Sequence, residues 1–160
     1  MDSGGGLSGG GPSVSGSSGG GSADREPARP VRRVFSGTTW EPVVGYSRAV
    51  AAGDFVFVSG CTSVDGAAFI HPGDAYAQTR QAIRNAAKGL AGLGATLADV
   101  VQTRMYVTDI SRWQEIGRAH GEAFGDVRPA ATMVEVAALI EAGLLVEVEV
   151  VAYRPGIGRA

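Results

Sequence analysis

The clearest pattern in the chain is an alternation of valine and glutamate near its end. Residues 129–153 predict two strands joined by a loop, and within 146–150 a period of two places the valines on one face and the carboxylates of Glu147 and Glu149 on the other. The valine face is predicted to join a core. Two interpretations of the glutamates stay open: they keep an outer sheet face soluble, or one of them lines a cleft and transfers protons as a general acid and base.

Earlier segments alternate between strand and helix patterns. Apolar residues at three- and four-residue spacing predict one helix that begins at a cap at Asp74, and a second helix that is capped by Asp109 or Ser111 and ends at Phe124. Continuous apolar character at 55–58 predicts a strand buried on both faces. The predicted strands are 31–36, 46–51, 54–59 and 100–108, followed by the two in 129–153. The order β-β-β-α-β-α-β-β predicts an α+β fold, with two helices against one mixed sheet.

Composition separates a tail from one folded domain. Residues 1–23 contain ten glycines and seven serines and cannot bury enough apolar surface to offset the entropy of folding. A disordered tail is therefore predicted at 1–30, a single domain at 31–154 and a short C-terminal tail at 155–160. The chain of 160 residues is 44% apolar, which is enough for one core.

Charge and cysteine content exclude several classes of function. A net charge of −2 without a run of basic residues gives no electrostatic footprint for nucleic acid or an anionic membrane. The single cysteine excludes an internal disulfide, and the two histidines have no metal-site spacing, so neither metal nor nucleic acid is expected as a partner. The sequence shows no membrane-spanning run and no signal-peptide pattern, and a cytosolic protein is expected.

A set of landmarks in register with the predicted elements resembles the Rid family, also called the YjgF or RidA family. The resemblance covers residues 31–153 and rests on the order and spacing of the landmarks together. They are Gly45-Tyr46-Ser47 with Ala49-Val50, Phe57-Val58-Ser59-Gly60, Tyr106-Val107-Thr108-Asp109, Phe124-Gly125, Pro129-Ala130, Val134-Glu135-Val136-Ala137 and Val146-Glu147-Val148-Glu149.

This resemblance implies both a fold and an activity. The fold would be a chorismate-mutase-like homotrimer with small-molecule clefts between neighbouring subunits. Active members of the family hydrolyse reactive enamines and imines to 2-keto acids and ammonia, without a cofactor or metal. The alternative is a non-catalytic protein that keeps the trimer and binds a small ligand or a partner. An RNA-cleaving role, sometimes attached to relatives, finds no support in the acidic charge balance.

The family motifs carry over to individual residues. The glutamate that orients the attacking water corresponds to Glu147, and the cleft tyrosine to Tyr46. The arginine that grips the substrate carboxylate is replaced by Ala131, which should cost about one to three powers of ten in binding of a free imino acid. Met133 replaces the family cysteine, and its backbone, like that of Gly60, can still offer polar groups.

Three further side chains are candidates with open roles. Arg104 shares a predicted strand face with Gln102 and Tyr106, opposite Val101, Thr103, Met105 and Val107, so it either replaces the missing guanidinium or is a solvated or interface arginine. Cys61 follows Ser59 and Gly60 at a cleft-facing strand end. No cation flanks it in sequence, which favours a buried packing role over a reactive thiol. His120 lies on an apolar helix face and is expected to pack.

Overall fold

The computed structural model describes residues 31–159, so the predicted tail at 1–30 lies outside the described residues. The strands are β1 (Arg32–Val34), β2 (Ala49–Ala52), β3 (Phe55–Cys61), β4 (Val64–Asp65), β5 (Ala68–Phe69), β6 (Val100–Val107), β7 (Ala130–Glu135) and β8 (Val146–Tyr153). The helices are α1 (Trp40–Val44), α2 (Ala75–Ala91) and α3 (Trp113–Phe124), with 3-10 turns at Leu97–Asp99, Ile110–Arg112 and Ile157–Arg159.

Six of these strands form one mixed sheet in the order β1-β2-β3-β8-β6-β7, and β4 and β5 form a separate small hairpin. Every pair in the large sheet is antiparallel except β6 and β7, which are parallel. A parallel pair requires a long crossover between its strands, and α3 supplies it. The predicted α+β fold is therefore confirmed, and β7 forms one edge of the sheet.

The core lies between the sheet and helices α2 and α3. Val146, Val148 and Val150 are buried on this side, and Leu90 and Phe124 from the helices pack against the same core. The valines of β8 thus lie in the core, as its two-residue period predicted, and the carboxylates of Glu147 and Glu149 face away from the helices.

A side-chain cap fixes the start of α2, and a capped 3-10 turn leads into α3. The Asp74 side chain accepts a hydrogen bond of 2.8 Å from the Ala77 backbone N–H, as predicted for the first helix. Asp109 accepts in the same way from Ser111, but the turn that it caps is a 3-10 turn, and α3 begins only at Trp113. Bifurcated and 3-10 geometry is common in the first turn of a helix.

Two local predictions are wrong because of irregular backbone. The strand predicted at 46–51 begins only at Ala49, because α1 precedes it and ends at Gly45, whose φ of 81° lies in the left-handed region that glycine adopts without strain. A helix of five residues is too short to show an apolar period. Val101, predicted to share a strand face with Thr103, is exposed while Thr103 is buried, because a register shift between Val100 and Gln102 turns Val101 outwards.

The strand at 55–58 is buried on one face only. Val56 and Val58 are in the core, whereas Phe55 and Phe57 are 42% and 48% exposed on the face away from the helices. The prediction of burial on both faces is wrong for the single chain, since no element of residues 31–159 covers this side of the sheet. An uncovered apolar face of this kind is typical of a surface that meets another protein chain.

The last described residues pack against the domain. Ile157 is buried in the core cluster, and its carbonyl oxygen accepts a hydrogen bond of 3.0 Å from Arg32 Nη1 at the start of β1. The 3-10 turn after β8 therefore joins the two ends of the described chain. None of the helices within residues 31–159 has the length and apolar character that crossing a bilayer requires.

Candidate functional site

A polar cluster occupies the sheet face opposite the helices, where β6 and β8 pair. The register places Arg104 opposite Glu149 and Tyr106 opposite Glu147, with all four side chains on this face. The sequence predicted the face of each residue. Only the register decides which residues are neighbours.

Glu149 is paired with two neighbouring side chains. Its Oε1 lies 2.6 Å from Arg104 Nη1, and its Oε2 accepts a hydrogen bond of 3.2 Å from the Tyr106 hydroxyl. Burial and then the Glu149 carboxylate raise the pKa of Tyr106, so this phenol stays protonated and remains a donor. Glu149 thus forms an ion pair with Arg104 and accepts a hydrogen bond from Tyr106.

Glu147 is in a different state from Glu149, although only one residue separates them. Its side chain is half-buried, and no donor within residues 31–159 forms a hydrogen bond with its carboxylate. Burial raises the pKa of Glu147; the charge of Arg48 opposes this effect and the charge of Glu149 adds to it. A carboxylate with a raised pKa and free lone pairs is suited to accept and return a proton.

Gly60 allows the Glu147 carboxylate to lie against the backbone of β3. A β-carbon built at position 60 would collide with Glu147 Oε1 and would crowd its Cδ. The local chain is a bulge, because the pairing of β3 with β8 shifts between Val58 and Cys61. The bulge and the missing side chain together bring the carboxylate over the end of the strand.

We expect that Gly60→Ala will displace the Glu147 carboxylate without unfolding the protein. The backbone at position 60 does not require glycine, and the colliding atoms are the far end of a flexible side chain, so the free energy of unfolding should change little. Any hydrolytic activity that depends on Glu147 should fall by about tenfold or more, since misplacement by about an ångström is costly to catalysis.

The matched control for this variant is Gly117→Ala, in which the new methyl group meets only the Trp113 ring, at 3.9 Å. Activity should be measured for both variants at equal folded fraction, as judged by thermal melting. Equal activities in the two variants would show that the position of the carboxylate does not matter.

Arg48 is the residue of this site that sequence reasoning missed. Its Nη1 donates to the carbonyl oxygens of Gly60 at 2.7 Å and Ser59 at 3.3 Å, and lies 3.5 Å from Cys61 Sγ. Its Nη2 donates to the Tyr46 hydroxyl at 2.9 Å. The signal for Arg48 in the sequence was its position two residues after Tyr46, between Ser47 and Ala49 of the first family landmark. The signal was weak because arginines near strand ends are usually solvated.

The predicted strand-end residues are held together by these and other short contacts. Ser59 Oγ donates to the Ser47 carbonyl at 2.8 Å, which joins the ends of β2 and β3. Cys61 is 3% exposed, and burial raises the pKa of its thiol despite the Arg48 charge. The fold therefore brings a cation to Cys61 that its sequence neighbours lack, and it buries the thiol; the role of Cys61 stays a prediction.

Ala131 and Met133 lie on the other side of the sheet from Glu147. In the parallel pairing of β6 and β7 they are opposite Thr103 and Met105, which face the helices. Met133 packs at the border of the core, and Ala131 is exposed on the edge strand. One chain alone does not bring these two residues together with Glu147.

Arg104 is also separated from Ala131 by the sheet, and its Nη1 is held by Glu149. Its suggested role as the replacement guanidinium stays a prediction. His120 packs as expected: its Nε2 lies 2.9 Å from Thr103 Oγ1, and its ring centroid lies 4.7 Å from that of Phe124. Burial lowers the pKa of His120, so the ring is neutral at pH 7. Within residues 31–159 no cluster of three or more metal-ligating side chains is present.

The mixed sheet with helices on one face defines an α+β fold, which solved structures of the YjgF family share. A family model described as Endoribonuclease L-PSP matches residues 37–154, and the chain belongs to this family, whose members also carry the names YjgF, Rid and RutC.

Three known proteins show the range of similarity within the family. A YjgF/YER057c/UK114 family structure from Mycobacterium tuberculosis is 52% identical, with a TM-score of 0.71 over 78% of this chain and 99% of that one. The 3-aminoacrylate deaminase RutC of Acinetobacter baylyi is 32% identical over 70% of this chain and 89% of its own. Escherichia coli TdcF, solved with bound serine, is 25% identical with a TM-score of 0.63, over 68% of this chain and 87% of that one.

Proposed function

We propose that this protein is a homotrimeric hydrolase of small enamines or imines, in which Glu147 activates the attacking water. The observation that carries the proposal is the contrast between the two carboxylates on the same strand. Glu149 is neutralised by Arg104 and Tyr106, whereas Glu147 is half-buried, has a raised pKa and has no hydrogen-bond partner among residues 31–159. Membership of a family that includes a 3-aminoacrylate deaminase supports this chemistry.

The reaction needs only water and one group that moves protons. An enamine first tautomerises to the imine, whose nitrogen is protonated. Glu147 accepts a proton from water as the oxygen forms a bond to the imine carbon, which gives a carbinolamine. Glu147 then returns the proton to the nitrogen, and the carbon–nitrogen bond breaks as the hydroxyl proton of the carbinolamine passes to solvent, which repays the proton that the imine nitrogen took up. Ammonia and a carbonyl compound leave. The balance is imine plus water to carbonyl plus ammonia, without a cofactor.

The exposed sheet face supports assembly through this side of the molecule. Phe55, Phe57 and Tyr153 form an apolar patch, with ring centroids 5.1 Å apart for Phe55 and Tyr153 and 6.3 Å apart for the two phenylalanines. The patch is continuous with the Arg104 and Glu149 pair along β8. Three copies that meet on this face would enclose it, and a neighbouring edge strand β7 would then complete the cleft with its Ala131 and Met133.

We expect that Phe57→Asp will dissociate the trimer and abolish activity. A carboxylate in place of a ring would introduce one unpaired charge per chain into an apolar contact, which burial makes costly. The matched control is Gly121→Asp on α3, where an added β-carbon meets nothing within 4 Å. Light scattering and sedimentation should show a trimer for the wild type and the control, and a smaller species for Phe57→Asp. A wild-type monomer would overturn the assembly.

The loss of the guanidinium at Ala131 bears on substrate choice. The arginines beside the two glutamates are already engaged, Arg48 by backbone carbonyls and Tyr46, and Arg104 by Glu149. The proposed substrates are therefore enamines or imines that do not depend on a carboxylate grip, and free 2-imino acids should be turned over slowly.

The activity is tested by release of a carbonyl product. A dehydratase acting on threonine or serine generates the enamine, and keto acid formation is followed above the spontaneous rate; an imine of ammonia with a neutral aldehyde is assayed in parallel. Acceleration of either reaction supports a hydrolase. If neither is accelerated by a protein that is trimeric and binds such compounds in calorimetry, the hydrolase is refuted and a ligand-binding trimer takes its place.

A further inference from the structure

Arg48 is bound on several sides by the elements that form the site. Its guanidinium donates to two carbonyl oxygens at the end of β3 and to the Tyr46 hydroxyl, and its side chain is only 12% exposed. The planar fork of a guanidinium can serve several fixed acceptors at once, which an ammonium group does less well. With these donors used, Arg48 is poorly placed to grip a substrate carboxylate itself.

A buried carboxylate on α1 lies beside the Nε atom of Arg48. Glu41 on α1 is 4% exposed, and its Oε1 lies 3.8 Å from Arg48 Nε. The same carboxylate accepts hydrogen bonds from the backbone N–H groups of Ser36 and Gly37 and from the Ser36 hydroxyl, at 2.6 to 3.1 Å. Burial raises the pKa of Glu41, but the hydrogen bonds and the Arg48 charge outweigh it, so the net pKa is lowered and the carboxylate is ionised.

The contacts form a continuous chain from this anchor to the proposed base. Glu41 holds Arg48, Arg48 holds the Gly60 carbonyl at 2.7 Å, and the Glu147 carboxylate lies directly over Gly60. We propose that Arg48, anchored by Glu41, is the positioning residue of this site: it fixes Tyr46 and the Gly60 backbone against which Glu147 rests, and it supplies the positive charge that faces Glu147. This inference deepens the proposed hydrolase and rests on it.

The charged and titratable groups around Glu147 make the effect of Arg48 measurable. Glu149 on β8 has its charge balanced by Arg104, while Tyr106 on β6 and Cys61 on β3 both keep their protons because burial raises their pKa. Arg48 is the cation that lowers the pKa of Glu147. Removing Arg48 should therefore raise the pKa of Glu147. As the pH falls, Glu147 would then become protonated, and activity would be lost, at a higher pH than in the wild type.

Two substitutions separate the charge of Arg48 from its geometry. Arg48→Gln keeps a neutral polar side chain but removes the charge, and it should raise the pKa of Glu147 and move the acidic limb of the pH–rate profile to higher pH. Arg48→Lys keeps the charge but not the fork, and it should leave the pKa of Glu147 near that of the wild type. Both should lower kcat by about tenfold or more, because Tyr46 and the Gly60 backbone lose their common support.

The titration is measured directly on the trimer, by carbon-13 NMR of labelled glutamate side chains, with the Glu147 signal assigned from its loss in Glu147→Gln. Arg154→Gln is the matched control, since among residues 31–159 the Arg154 side chain pairs only with Asp99, at 3.5 Å, and it should leave the titration and kcat unchanged. This readout does not need catalysis, so a silent wild-type assay would refute the hydrolase while the titration still decides the role of Arg48.

Two results would overturn the inference. The first is an unchanged Glu147 titration in a folded Arg48→Gln trimer. The second is a wild-type kcat in Arg48→Lys, which would show that the fork is not needed. If Arg48→Gln does not fold, Arg48→Lys decides alone. A lower kcat with an unchanged Glu147 titration supports the positioning role of Arg48, and any other combination contradicts it.

Discussion

Glu147→Gln is expected to lower hydrolytic activity by about a hundredfold to ten-thousandfold, which is the usual contribution of a positioned general base. The amide keeps the size of the side chain but cannot accept a proton from water. The matched control is Glu149→Gln, which changes the same group on the same strand, where the carboxylate is already paired with Arg104. It should cost much less activity, and similar losses in the two variants would contradict the assignment of roles.

The pH dependence of the wild type follows from the state of Glu147. The ionised form is the active base, so activity is present above the pKa of Glu147 and is lost as the pH falls through it. Because burial raises this pKa, the loss should begin at a higher pH than for an ordinary glutamate. Initial rates measured across the acidic range, with the trimer verified at each pH, give the comparison.

The same raised pKa predicts a cost in stability. A carboxyl group whose pKa is raised by folding stabilises the folded state fully only below its unfolded pKa, and this contribution is lost as the pH rises through the folded pKa. At neutral pH Glu147→Gln should therefore unfold at the same or a higher temperature than the wild type, and the difference should shrink in acid. Both proteins must be compared at one chain concentration, since assembly contributes to stability.

Ala131→Arg is expected to raise kcat/KM for free 2-imino acids by about tenfold to a thousandfold, the value of a charge-assisted pair to a carboxylate in a desolvated site. Ala131 is exposed on edge strand β7, so the longer side chain has room. Activity towards imines without a carboxylate should change little, because the new contact would be absent. The ratio of the two kcat/KM values, measured side by side, is the decisive quantity.

The control for this gain is Thr132→Arg, on the next residue of the same exposed strand. Thr132 pairs with Arg104 and therefore faces the opposite side of the sheet from Ala131. It adds the same charge to the same edge, but on the face that is proposed to meet other copies, so the two variants are compared at equal trimer fraction. At that fraction Thr132→Arg should not improve the imino acid reaction. A gain of equal size in both variants would indicate a general electrostatic effect rather than a specific grip.

The two faces of the sheet explain why the proposed site would need more than one chain. Glu147, Gly60, Arg48 and Tyr46 lie together in one chain, while Ala131 and Met133 lie on the edge strand towards the helix side. In the proposed trimer a second copy would supply the missing wall. Substrate specificity could then change at the edge strand, as at Ala131, without disturbing the residues that hold the base.

The sequence by itself determined the elements whose signals are local. The two-residue period of β8, the apolar stripes of α2 and α3 and the cap at Asp74 all depend on neighbours within a few residues, and each has its predicted place. The family landmarks lie at these element ends, so the α+β fold and the candidate Glu147 followed from them. The face of each strand residue was predictable for the same reason, except at bulges.

Only the tertiary structure decided which of these residues meet. The register of β6 against β8 placed Arg104 beside Glu149 and left Glu147 without a hydrogen-bond partner in the described part of the chain, and the bulge in β3 placed Gly60 against the Glu147 carboxylate. Arg48 became part of the site through contacts with strand ends that are 11 to 13 residues away. Register, bulges and long-range hydrogen bonds depend on how whole strands align, which a local pattern does not encode.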